Sequence, residues 1–74
     1  MNINQKTGLR IKTLRINKNL SQSVLASDAD INRTYLNSVE KGVRRISIEA
    51  LEKIIIALEI NFKEFFNHPD FIND

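Results

Sequence analysis

The chain has 74 residues, enough for one small domain with a single hydrophobic core. With no cysteine it can build neither a disulfide framework nor a thiolate metal site, which suits a reducing, cytoplasmic setting. The net charge is only +2, but residues 1–45 carry nine Lys/Arg against three Asp/Glu, and residues 46–74 carry two against six. A polyanion-facing half and a half that faces elsewhere are expected from such an asymmetry.

Five helices are predicted, with no period-2 alternation anywhere, so the fold class is all-α: a compact bundle of short helices. The first runs from about Asn4 to Lys18, with Thr7, Ile11 and Leu14 on its inner face. Ser21 caps a second helix that ends near Ala29, and Asn32 caps a third that continues to about Lys41. Gly42 supplies a left-handed stop. Ser47 caps a fourth helix, Ile48 to Leu58, and Asn61 a fifth, Phe62 to Asn67. The whole chain, 1–74, reads as one domain with an ordered core over about 4–67 and a short tail from Pro69 to Asp74. The longest apolar run, Ile54 to Leu58, is too short to span a membrane, and the N-terminus has no apolar signal core.

Helices two and three are joined by about three residues, too few for a long antiparallel hairpin, and a steep crossing of the helix-turn-helix type is the usual solution. The apolar spacing agrees: Leu25, Ala26 and Ala29 on the first member, Ile31 in the turn, Leu36 and Val39 on the second. Ala26 suits a crossing that leaves no room for a larger side chain. Advancing 100° per residue along helix three puts Leu36 and Val39 inward, with Arg33 and Glu40 near one border and Tyr35 near the other. Thr34, Asn37, Ser38 and Lys41 then point outward. These are groups that can meet base edges in a major groove, where arginine bonds guanine bidentately and a threonine methyl touches thymine. The first turn of such a helix enters the groove deepest.

The stretch "SQSVLASDADINRTYLNSVEKG" resembles the helix-turn-helix of lambda-repressor-like (Cro/CI-type) regulators, with Gln22, Ala26, Ile31, Leu36 and Val39 at matching positions. The resemblance covers about residues 7–66. Asp30 stands where glycine is common in the turn, and aspartate tolerates left-handed angles better than most residues. "NRTYLNSVEKGVRRISIEALEKI" is similar to the controller proteins of restriction–modification systems, through Arg33-Thr34-Tyr35, Glu40-x-Gly42 and Arg45-x-Ser47. An asparagine often follows the arginine there; here it is Ile46. The resemblance implies base contacts from Arg33, Thr34, Asn37 and Ser38. It implies phosphate contacts from Gln22, Ser23, Tyr35, Arg44, Arg45 and Ser47, and arginine forks and helix N-termini are good phosphate ligands. A packing role is equally open to Tyr35. The resemblance also pairs Arg15 with Glu40 in an interhelical salt bridge.

Rival classes carry less. The chain has one histidine, no Gly-x-Ser-x-Gly and no glycine-rich phosphate loop, so catalysis is not expected, and His68 reads as a solvent-exposed imidazole. A protein-interaction module would use the apolar surplus at Leu9, Ile16, Ile56 and the phenylalanines. Self-association explains that surplus equally, because palindromic operators are matched by two-fold dimers. The expected interface joins helices four and five around Ile56 and Phe62, with Phe65 or Phe66 beside them. The expectation is a homodimeric, sequence-specific regulator of transcription acting on its own operon, with double-stranded DNA as partner. It needs no cofactor, metal, membrane or small-molecule ligand. A phage- or plasmid-type repressor of the same fold is the alternative.

Overall fold

The computed structural model describes residues 1–72. Five helices follow in order: α1 (Ile3–Asn17), α2 (Gln22–Asp28), α3 (Arg33–Glu40), α4 (Ile48–Ala57) and α5 (Phe62–Phe66). Every helix starts on a side-chain oxygen that accepts a backbone N–H of its first turn: Asn2, Ser21, Asn32, Ser47 and Asn61. The first start differs from expectation. Asn2 Oδ1 accepts from Gln5 N–H at 2.9 Å while Gln5 Oε1 accepts from Asn2 N–H at 2.9 Å, and this reciprocal box draws α1 out to Ile3.

Four of the helices end alike. Asn19, Asp30, Gly42 and Glu59 each take positive φ, between 54° and 76°, one residue past the cap. The next N–H then reaches back to close the helix: Leu20 to Arg15 C=O, Ile31 to Ala26, Val43 to Ser38 and Ile60 to Ile55. Asp30 therefore keeps the turn between α2 and α3, as its short polar side chain allows.

The core is Ile11, Leu25, Ala26, Ala29, Leu36, Val39, Leu51, Ile54, Ile55, Leu58 and Phe65. Helix α3 packs on α1 and α2, and α4 packs on α2 and α5. Gly8 allows the α1–α3 contact: a β-carbon there would overlap the Val39 carbonyl oxygen. Arg10 secures the far end of the bundle, its Nε donating to Phe65 C=O at 2.8 Å and Nη2 to Glu64 C=O at 2.9 Å.

The C-terminal segment departs from the expected tail. Residues 68–72 turn back, and Phe71 packs on the core edge-on to Phe66 with ring centroids 5.0 Å apart. His68 is not idle either, since its Nδ1 accepts from Asp70 N–H at 3.1 Å. Asn73 and Asp74, the rest of that tail, lie outside the described residues. Among the described residues no helix is long and apolar enough to cross a membrane.

Candidate nucleic-acid interface

Asn32 opens the interface. Its Oδ1 accepts from both Thr34 N–H at 2.7 Å and Tyr35 N–H at 3.2 Å, and this double cap sets the start of α3. Leu36, Val39 and Glu40 turn inward, while Arg33, Thr34 and Lys41 are exposed. The buried residues recur at the spacing of one helix face, and α3 is strongly amphipathic as a result. Asn37 and Ser38 differ from expectation in being half-buried at the edge of that face.

Beneath the face lies a bidentate ion pair. Arg15 Nε donates to Glu40 Oε2 at 2.8 Å and Nη2 to Glu40 Oε1 at 3.0 Å, while Nη1 donates to Leu20 C=O at 2.7 Å. The two side chains are 11% and 2% exposed, so the expected pair between α1 and α3 is present and nearly dry. Hydrogen bonding from Glu40 raises the Arg15 pKa above its ordinary value, against the opposing effect of burial. Stability from a raised pKa is complete at lower pH and is lost only as pH climbs through it, here in strongly alkaline solution.

Gln22 requires a correction. Expected to grip phosphate, its side-chain amide nitrogen instead donates to Glu40 Oε1 at 3.0 Å and to Asn37 Oδ1 at 3.2 Å. The amide nitrogen is thus engaged inside the protein, because Glu40 offers a charged acceptor within its reach. Together Gln22, Arg33, Thr34 and Asn37 line a concavity of about 160 Å³ at the start of α3.

Tyr35 combines both of its expected roles. Its ring is half-buried against the core, its hydroxyl accepts from Ser47 N–H at 3.3 Å, and the Arg44 guanidinium lies 5.0 Å above the ring centroid. The tyrosine thereby ties the loop after α3 to the start of α4. Ser47 Oγ is itself the α4 cap, accepting from Ala50 N–H at 3.1 Å. Arg44, Arg45 and Ser23 are exposed, and Ile46, at the position where the family often has asparagine, is half-buried against the core.

At the other end, the expected self-association surface divides. Ile56 is 67% and Phe62 39% exposed, whereas Phe65 is 0% exposed. Phe65 belongs to the monomer core and cannot stand at an interface centre; Phe66 is half-buried, edge-on to Phe65 at 4.9 Å between ring centroids. The short α5 turns only one of its three phenylalanines fully inward, and that one is Phe65. Arg10 and Gly8, which secure α5 and α3 against α1, were not among the expected functional or structural residues, and neither lies within a motif.

A helix-turn-helix family model matches residues 11–65. The chain is 36% identical over 67 residues to the control protein C.BamHI of Bacillus amyloliquefaciens, an alignment covering 89% of this chain and 83% of that protein. The restriction–modification controller protein C.AhdI from Aeromonas hydrophila superposes with a TM-score of 0.81 at 38% identity, over 85% of this chain and 96% of that one. The controller protein C.Esp1396I, solved as a tetramer in complex with its natural 35 base-pair operator, gives a TM-score of 0.81 at 33% identity, over 85% and 83% of the two chains. The fold, the helix-turn-helix and these likenesses agree, and the chain belongs to the helix-turn-helix family of restriction–modification controller proteins.

Proposed function

We propose that this chain is a cytoplasmic regulator of transcription that binds operator DNA as a homodimer and controls a restriction–modification operon that includes its own gene. The observation that carries this reading is the juxtaposition at α3. Arg33 and Thr34 stand exposed in its first turn, and Arg44 and Arg45 follow in the loop, all within the basic half of the chain. Exposed donors at the start of a recognition helix suit base edges, and loop arginines suit the phosphates on either side. In this reading Arg33, Thr34, Asn37 and Ser38 face bases, while Ser23, Tyr35, Arg44, Arg45 and Ser47 face the backbone.

The acidic half carries α4 and α5, which keeps the Ile56–Phe62 surface away from the polyanion and free to pair with a second copy. Recognition helices roughly 34 Å apart would then match one turn of duplex. Selection of bound sequences from a random DNA pool tests the proposal. A palindromic site that recurs upstream of the gene itself is the expected result, and retention of no preferred sequence would overturn it.

A further inference from the structure

Asn37 and Gln22 face one another across the helix-turn-helix, and the bond between them has a direction. Arg15 can only donate, so it binds the Glu40 carboxylate, which can only accept. Glu40 Oε1 therefore requires the amino side of the Gln22 amide, not its carbonyl oxygen. With that orientation imposed, the other N–H of Gln22 meets Asn37, and Asn37 must answer with its carbonyl oxygen, Oδ1. The Asn37 amino group is left with no protein partner and is turned toward the concavity it shares with Arg33 and Thr34.

We infer that Gln22 is a specificity-determining positioning residue that sets Asn37 to present donors only, so that Asn37 reads a keto base, guanine or thymine. The inference rests on the operator-binding reading and adds the chemistry of one base contact to it. An unconstrained asparagine prefers adenine, offering its carbonyl to N6–H₂ and its amino group to N7 together. Here the carbonyl is taken by Gln22, so the bidentate adenine pair is denied. Guanine presents O6 and N7, both acceptors, and thymine presents O4, whereas cytosine presents the N4 amino donor and would oppose the Asn37 amino group. The neighbouring Arg33 is also a pure donor, so this concavity as a whole matches an acceptor-rich edge.

Base profiles selected from a random DNA pool by the full-length wild-type chain, Gln22→Leu and Asn37→Asp test this, with thermal melts confirming that each variant is folded. The wild type should show guanine or thymine at one position of each half-site. Gln22→Leu releases the Asn37 amide to turn over, and adenine at that position should rise about tenfold relative to the keto bases. Asn37→Asp keeps one oxygen on Gln22 and substitutes an acceptor for the outward amino group, so the same position should move to cytosine. A merely structural Gln22 would lower affinity on all sequences and leave the profile unchanged. A Gln22→Leu profile identical to wild type at every position, or adenine in the wild-type profile at the position that Asn37→Asp alters, would overturn the inference while leaving operator binding intact. A wild-type chain that enriches no sequence would overturn both.

Discussion

Gly8 of α1 lies against the carbonyl group of Val39 in α3 so closely that an added β-carbon would overlap that oxygen and stand 3.2 Å from Glu40 Cα. Two effects oppose each other when Gly8 becomes alanine. Helix propensity favours alanine by about 1 kcal/mol, whereas overpacking against a rigid neighbour costs about 1–3 kcal/mol. The obstacle here is backbone and not the end of a flexible side chain, so the clash should win. Gly8→Ala should lower the urea midpoint by a net loss of about 1–2 kcal/mol, with α3 displaced from α1. A rise in the midpoint would mean the two helices can part at no cost.

Arg15 and Glu40 test how the recognition helix is oriented. Glu40→Ala strands a guanidinium that is nearly excluded from water and removes an acceptor from Gln22 as well. A loss of roughly 3 kcal/mol is expected, more than an exposed pair would show. Because each side chain is the other's main partner, Arg15→Ala and Glu40→Ala should be strongly non-additive in a double-mutant cycle. Additive losses would mean that the pair makes no joint contribution.

Glu59 holds a left-handed conformation, φ 60°, at the same post-cap position where α3 uses Gly42. That angle costs a residue with a β-carbon about 1 kcal/mol, and glycine avoids it. Glu59→Gly should therefore stabilise by roughly 0.5–1 kcal/mol in thermal or urea melts. Gly42→Ala should do the opposite, for two reasons: φ is 76°, and its β-carbon would stand 2.8 Å from Gln5 Cγ. Equal and opposite shifts at the two positions would point to backbone angle alone, while a larger loss at Gly42 would reveal the Gln5 contact.

What could be read from the sequence followed from local chemistry. Ser21, Asn32, Ser47 and Asn61 announced four helix starts because a capping side chain acts on its own first turn. Leu36 and Val39 gave the inner face of α3 because periodicity is a property of one helix. The features that escaped depend on contacts between elements. Nothing near Gly8 signals that Val39 will approach it, and helical period places Gln22 and Asn37 on surfaces without saying that their amides will meet. Helix α5 is five residues long, too short for period to say that Phe65 goes inside and Phe62 outside. Arg15–Glu40 was foreseen only through family resemblance, since 25 residues separate the partners.

Assembly is tested at Ile56, an apolar side chain 67% exposed on α4 beside a wholly buried core. Neighbouring Ile54 and Ile55 are inside, so replacing Ile56 alone leaves the core untouched. In the proposed dimer Ile56 is covered by the second copy, and Ile56→Arg would bury two like charges against each other. The variant should sediment as a folded monomer and bind a palindromic site far more weakly than wild type. An unchanged dimer would move the interface to another surface.

Arg33 and Arg45 separate reading from gripping. Arg33 is the only cation in the first turn of α3 and is exposed above a helix start set by Asn32, so its fork of donors is aimed where a base edge would lie. Guanine O6 and N7 match that fork better than a single phosphate oxygen does. Arg33→Ala should cost about 1–3 kcal/mol on the operator and little on random duplex. Arg45 is in the loop after α3, away from the groove-facing turn, and a phosphate contact there carries no sequence information. Arg45→Ala should weaken both duplexes and reduce the salt slope by about one per subunit. Binding of both variants to operator and scrambled duplex across a salt series distinguishes the roles. Equal losses on the two duplexes for Arg33→Ala would make Arg33 a phosphate clamp, and base reading would then fall to Thr34, Asn37 and Ser38.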